Sequence, residues 1–244
     1  MKENKYDNLN FFNQYKQMAR SKDGLEGAGE WHELKKMLPD FTDKRVLDLG
    51  CGFGWHCRYA VEQGAREVIG IELSENMLNE ARKMTSTSKI KYIQMAIEDI
   101  DFEEESFDCI ISSLVFHYIK SFEDICYKAN KYLTKGGEFV FSVEHPVFTA
   151  EGKQDWKYDE VGNKVCWPVD NYYIEGIRHA IFLGEEVTKY HRTLTTYING
   201  LLDNGFEIIK VVEPQPAPHM LEGNKEMQDE LRRPMMLLIK ARKR

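Results

Sequence analysis

Apolar positions along the middle of the chain alternate between two rhythms. Short apolar runs of strand length occupy Arg45–Leu49 and residues 67–71, 90–95, 107–112 and 137–143. Stretches with helical spacing separate them. Residues 54–63 read as a helix stopped by Gly64. Ser74 caps a second helix that runs through Lys83, with Glu75 complementing its dipole. A third opens on Ser121-Phe122-Glu123-Asp124, which resembles a capping box. It repeats Phe122, Ile125, Ala129 and Leu133 at helical spacing and stops at Gly136-Gly137. Strands joined repeatedly by helices predict right-handed crossovers and a doubly wound α/β fold on a mostly parallel sheet.

The flanks break this rhythm. The first 30 residues are polar, with aromatic islands at Phe11, Phe12 and Tyr15. A short helix over 30–38 follows from the stripe Trp31, Leu34 and Leu38, with Pro39 behind it. Residues 1–40 are expected to form a helical cap segment on a domain spanning 41–244. Residues 144–188 are rich in Trp, Tyr, Pro and Gly and show no period. They read as an insertion after the fifth strand, far longer than ordinary connections and placed to act as a lid. Helical spacing returns over 190–203 and stops at Asn204-Gly205. Phe206–Val212 and residues 235–241 are strands, separated by a connection carrying Pro214, Pro216, Pro218 and Pro234. An antiparallel final pair suits that connection better than a crossover does.

Charge narrows the partners. The chain has 244 residues, with 40 acidic against 33 basic side chains and a net charge of −7. Dense basic stretches occur at Arg232-Arg233 and over 240–244, and neither makes a stripe, so neither nucleic acid nor an anionic membrane is expected as a partner. The cysteines, five in number, form no C-x-x-C pair and no Cys/His cluster at metal spacing. No metal is expected, and the thiols suit a reducing compartment. Without an apolar leader or a run of ~18 apolar residues, the chain is expected to be soluble and cytoplasmic.

The strongest local signal is Val46-Leu47-Asp48-Leu49-Gly50-Cys51-Gly52-Phe53-Gly54. A strand enters a D-x-G-x-G-x-G turn and leaves as a helix. Glycines permit the sharp turn and let a ligand approach the backbone, at the carboxyl end of a strand where doubly wound sheets bind ligands. The dinucleotide pattern G-x-G-x-x-G would need its third glycine at Trp55. The spacing with an acid two residues before the first glycine suits a ligand without pyrophosphate. Glu72 ends the second strand, where a carboxylate can accept both hydroxyls of a ribose; it could equally cap the helix that begins near Ser74.

Together these residues resemble class I S-adenosylmethionine-dependent methyltransferases, in particular their small-molecule branch. VLDLGCGFG, VIGIELSENML, IEDIDFEEESFDCIISSLVFHY and LTKGGEFVFSVEHP carry the resemblance. It implies a Rossmann-like sheet of seven strands whose last strand is antiparallel. It implies that the turn containing Asp48, Gly50, Cys51, Gly52 and Gly54 holds the methionine part of S-adenosylmethionine. Glu72 would take the ribose, Leu73 and Met77 would flank the adenine, and Ile97 and Glu98 would line its edge. Ser113 and Leu114 would face the sulfonium. Many relatives have Asp at the position of Ala96, which cannot accept from the adenine amine.

Methyl transfer from a sulfonium needs alignment and, for some acceptors, removal of a proton. His145, leaving the fifth strand in Glu144-His145-Pro146, is the first candidate base, since imidazole titrates near neutrality. His117, after the fourth strand, is the second. The expected partner is a small-molecule methyl acceptor beneath the 144–188 insertion. The alternative is a regulatory protein that binds S-adenosylmethionine without turnover.

Overall fold

The computed structural model describes residues 4–244. Its centre is a seven-stranded sheet built from β1 (Arg45–Leu49), β2 (Glu67–Glu72), β3 (Ile90–Gln94), β4 (Phe107–Ser113), β5 (Leu133–Glu144), β10 (Phe206–Val212) and β11 (Met236–Lys243). Strand order is β10-β11-β5-β4-β1-β2-β3. β11 lies antiparallel between β5 and β10, and the other neighbours run parallel. The chain order reverses between β1 and β4, so a crevice forms beyond their carboxyl ends.

Helices cover both faces. On one, α6 (Phe122–Tyr132) and α8 (Leu194–Asp203) bury Phe122, Ile125, Tyr197 and Leu201 against Phe139, Phe141 and Ile239. On the other, α3 (Trp31–Met37), α4 (Trp55–Glu62) and α5 (Glu75–Lys83) bury Trp31, Cys57 and Leu78 against Val46, Val68 and Ile111. Parallel strands buried on both faces account for the continuous apolar runs in the sequence. Ser74 and Ser121 cap α5 and α6 as expected, accepting from the N–H groups of Met77 and Asp124.

Three boundaries differ from the sequence reading. The third long helix ends at Tyr132, and Leu133 already has extended backbone and pairs with Phe107. Leu133 is fully buried, so its place in the apolar stripe is kept by a strand instead of a helix. The 144–188 region has regular structure: α7 (Pro146–Thr149), the short pair β6 (Lys157–Tyr158) and β7 (Lys164–Cys166), and the start of a hairpin. In that hairpin β8 (Gly176–Phe182) pairs with β9 (Glu185–His191), which takes Tyr190 and His191 out of the expected helix. α8 starts only after Thr193, whose hydroxyl accepts from the Thr196 N–H. The inward positions of β9 are Val187, Lys189 and His191, and two polar residues there hide the strand period.

Ahead of the sheet, α1 (Leu9–Tyr15) and α2 (Ala19–Lys22) lead into α3. Asp7 ties this segment to the start of α5, accepting from Ser74 Oγ at 2.6 Å and from the Asn76 N–H at 3.1 Å. Among the described residues, no helix is long and apolar enough to cross a membrane.

Candidate functional site

A cavity of about 500 Å³ follows the strand ends from β3 and β2, past β1 and β4, to β5 and the start of β11. At its middle, Gly50, Gly52 and Gly54 have φ of 75°, 52° and 71°. A Cβ on Gly50 would lie 2.4 Å from Val115, and one on Gly54 would lie 2.1 Å from Tyr92 Oη. One on Gly52 would meet nothing within 4 Å. The outer glycines therefore close the turn onto its neighbours, while Gly52 leaves open space on the cavity wall. Gly50 and Gly52 line the cavity; Gly54, Cys51 and Asp48 lie behind it. Asp48 is buried and accepts from Cys57 Sγ at 3.1 Å. Burial raises its carboxyl to about 7 in spite of that bond.

Toward β2 and β3, the Glu72 carboxylate accepts from the N–H groups of Gly52, Leu73 and Ser74 at 3.0, 2.8 and 2.9 Å. Burial still raises its pKa above the ordinary value. Leu73, Met77, Ile97 and Glu98 line this end. Tyr6 and Tyr15 pack edge-on at 5.1 Å and close it from the N-terminal segment.

Arg20 also stands on the cavity wall and donates to Glu30 Oε1 at 2.5 Å. Ser113 Oγ donates to the same oxygen at 3.2 Å. Glu30 Oε2 is buried and has no hydrogen-bond partner among the described residues. Burial works against both charges, but their mutual attraction prevails, keeping Arg20 protonated and Glu30 ionised.

At the β4–β5 end, Leu114 holds a left-handed φ of 56°, its N–H donating to Ser142 O. Glu144, the last residue of β5, accepts from Lys189 Nζ at 2.6 Å and Gln154 Nε2 at 2.7 Å. Burial pushes its carboxyl up, but His117, Lys189 and Gln154 bring it net below the usual range. His117 Nδ1 accepts from the Glu144 N–H at 3.4 Å, and burial lowers its pKa to about 4.

Overlap with known proteins is extensive. The family described as Methyltransferase domain matches residues 47–141. The fold aligns with the crystal structure of a candidate S-adenosylmethionine-dependent methyltransferase from Listeria monocytogenes. The two share 61% sequence identity over 91% of this chain and 99% of the other, with a TM-score of 0.87. The chain belongs to the class I S-adenosylmethionine-dependent methyltransferases. A second structure, of such a methyltransferase from Mesorhizobium loti, is 41% identical, covers 90% of the chain and 100% of its own, and has a TM-score of 0.84. A Haemophilus influenzae protein is 34% identical over 98% of this chain and 96% of its own length. The tRNA U34 carboxymethyltransferase of Colwellia psychrerythraea is 30% identical over 114 residues, which is 46% of this methyltransferase and 35% of that protein.

Of the residues expected to bind the cofactor, Gly50, Gly52, Glu72, Leu73, Met77, Ile97, Glu98 and Ser113 meet on the cavity wall of the methyltransferase. The cavity also fits the chemistry of S-adenosylmethionine. It offers open space over Gly52, a carboxylate at Glu72, and the Arg20 guanidinium near Ser113. His117 is on the wall, but the lone pair of its neutral ring is already engaged. Since Nδ1 accepts from the backbone, the neutral ring carries its proton on Nε2, 3.9 Å from Glu144 Oε1.

His145 corrects the expectation that its ring faces the methyl group. It is buried away from the cavity lining, where Nδ1 accepts from the Val147 N–H and caps α7. Its Nε2 lies 2.8 Å from Glu213 Oε1. β5 ends on Glu144, which takes the cavity position, and the next residue turns away as the cap of α7. The insertion itself gives the wall only Glu144 and Phe182. Of its aromatics, Phe148, Trp156 and Trp167 instead make a half-buried cluster away from the cavity, with Phe148 stacked on Trp167 at 4.9 Å, while Tyr158 and Tyr173 are exposed. Arg20, Glu144 and the methionines Met227, Met235 and Met236 escaped sequence reading. The charged residues lay at edges of aperiodic segments, and nothing in their spacing marks a site.

Proposed function

We propose that this methyltransferase acts on a small molecule bound at the β4–β5–β11 end of the cavity. The carrying observation is enclosure. Cofactor and acceptor must share about 500 Å³, within the range of small-molecule sites. Pro214, Pro216 and Met227 from the β10–β11 connection roof the acceptor end, with Phe182 from the hairpin. A tRNA substrate, as in the Colwellia relative, would call for cations on an open approach, and the cavity end carries carboxylates. A binding protein without turnover has no use for a cavity that runs on past the cofactor to β5 and β11. Five free cysteines agree with a cytoplasmic setting.

In this reading Glu72 accepts from the ribose hydroxyls. Gly50 and Gly52 admit the methionine part, and Asp48, Cys51 and Gly54 shape the turn from behind. Leu73 and Met77 flank the adenine, while the backbone of Ile97 and Glu98 meets its edge in place of a side chain at Ala96. Arg20 pairs with the cofactor carboxylate, and Glu30 holds Arg20 from behind the wall. S-adenosylmethionine supplies a methyl group on a neutral leaving group. The chain's own work is then alignment and exclusion of water. Ser113 and Leu114 form the floor beneath the acceptor. His117 and His145 position Glu144 and α7 instead of moving protons.

Calorimetric titration tests the reading. S-adenosylhomocysteine is expected to bind with a micromolar-range constant, and NAD is not. Saturable NAD binding without a response to S-adenosylhomocysteine would overturn it.

A further inference from the structure

We propose, on the reading that the cavity holds cofactor and acceptor together, that the acceptor is a small amine on an apolar body, with its nitrogen against Glu144. The ammonium first gives one proton to water; the freed lone pair then bonds to the methyl carbon as the carbon–sulfur bond breaks, leaving neutral S-adenosylhomocysteine and an N-methylammonium product. The placement of charge at the acceptor end carries this. Glu144 and Glu230 line the cavity, but the cations that balance them, Lys189 and Arg233, do not. Lys189 Nζ is used up behind the wall. It donates to Glu144 Oε1 and Gln154 Oε1 at 2.6 and 2.7 Å and lies over the rings of Phe182 and Tyr118 at 5.6 and 5.9 Å. Arg233 gives both terminal nitrogens to Glu230, at 2.6 and 3.0 Å, while the rings of Trp167 and Phe148 flank it at 4.2 and 4.6 Å.

The chamber therefore meets its ligand with carboxylate oxygens and keeps the counter-charges in the second layer. Each Glu144 oxygen takes one hydrogen bond from the protein. A carboxylate has about four lone-pair sites, so acceptor capacity remains for an incoming N–H. The cation that does reach the wall, Arg20, is bound to Glu30 beside Ser113, on the cofactor side. A phosphate or carboxylate on the acceptor would lose hydration and meet carboxylate oxygens whose cations stand behind the wall, which disfavours it. Beside Glu144 stands His117, and much of the remaining wall is apolar and adaptable: Met227, Met235, Met236, Pro214 and Pro216. Methionine walls conform to irregular apolar bodies.

The test uses the full chain saturated with S-adenosylhomocysteine. Phenethylamine, phenethyl alcohol and hydrocinnamate share a body and differ in the polar end; each is titrated by calorimetry. The amine is expected to bind about tenfold tighter than the alcohol, with no binding of hydrocinnamate. Glu144→Gln should bring the amine down to the level of the alcohol while the S-adenosylhomocysteine constant stays unchanged. That variant leaves Lys189 buried without its partner, so the double variant Glu144→Gln/Lys189→Met provides the same readout in a neutralised site. Hydrocinnamate binding as well as the amine, an amine that fails to bind, or an amine preference that survives both variants overturns the proposal. Failure of S-adenosylhomocysteine itself to bind would instead defeat the methyltransferase reading of the cavity, so the two failures are distinct.

Discussion

Asp48 is a carboxyl group with almost no water around it and a thiol as its hydrogen-bond donor. Burial raises its pKa to about 7, against an ordinary value of 3.8. The unfolded chain therefore loses this proton near pH 4, while the folded chain keeps it to about pH 7. Across that window folding must retain a proton that the unfolded state has released, so Asp48 costs stability as pH rises. Asp48→Asn removes the cost without changing shape. Its gain over the parent should be small at pH 4 and grow to at most about 4 kcal/mol by pH 8. A difference that does not vary with pH in denaturant melts would show that Asp48 ionises freely in the fold. Glu72 has the opposite importance, for the ligand. Glu72→Ala should weaken S-adenosylhomocysteine binding by roughly 2–4 kcal/mol, since charge-assisted bonds are worth about 1.5–3 kcal/mol each and need not add. An unchanged dissociation constant would reduce Glu72 to the anchor of Gly52 and Ser74. The placement of Glu72 on the cavity wall was legible because the acid ending β2 is a local pattern, whereas Asp48, expected at the cofactor, lies behind the wall. Glu144 was not legible. It lies beside His145 in sequence, and residue chemistry alone favours the histidine; only the point at which β5 ends and α7 begins decides which of the two reaches the cavity.

The turn between β1 and α4 is one unit in which three left-handed residues must coexist. Gly54 is the most constrained, because its φ is 71° and a Cβ there would overlap Tyr92 Oη. Tyr92 is itself held by Thr85 Oγ1 at 2.9 Å. A non-glycine residue in this conformation costs about 1–2 kcal/mol before any overlap is counted. Gly54→Ala should therefore destabilise the fold by more than about 2 kcal/mol, and Tyr92→Phe in the same chain should return part of the loss by removing the hydroxyl. If the double variant is no more stable than Gly54→Ala, the crowding account fails and only backbone strain remains. Such units are readable when the whole instruction lies within ten residues. The α6–β5 boundary was not readable in this way: Leu133 continues a helical stripe and also begins a strand, and pairing with Phe107 settles the choice. The β8–β9 hairpin was hidden for a related reason. Its inward face carries Lys189 and His191, which find partners only in the folded chain: Glu144 for the first, Thr149 and the Tyr172 carbonyl for the second.

At the scale of the molecule, segments distant in sequence fold over one sheet edge, and Arg233 joins two of them. It comes from the β10–β11 connection, which roofs the acceptor end. Its guanidinium lies among Trp167, Phe148 and Trp156 of the insertion, at 4.2, 4.6 and 5.5 Å. Arg232 lies over the other part of this cluster, 4.5 Å from the Trp156 ring. The order of the chain explains why this contact was invisible beforehand: the insertion's aromatics lack a period because they pack around a residue some 66 positions beyond Trp167. A desolvated cation–π contact is worth up to about 2 kcal/mol, and here three rings and the bond pair to Glu230 act together. Arg233→Ala should cost about 2–4 kcal/mol of local stability. Amide exchange should then quicken at least about 30-fold in two places at once, in the insertion around Trp156 and Trp167 and in the connection around Met227. Arg233→Lys should rescue little, because an ammonium can neither stack between rings nor bind Glu230 through a planar fork. S-adenosylhomocysteine affinity should change less than about threefold, since Glu72 lies at the other end of the cavity and the glycine turn at its middle. Faster exchange in the connection alone, with the insertion unaffected, would mean that the two segments close the chamber independently and that Arg233 serves only its own loop.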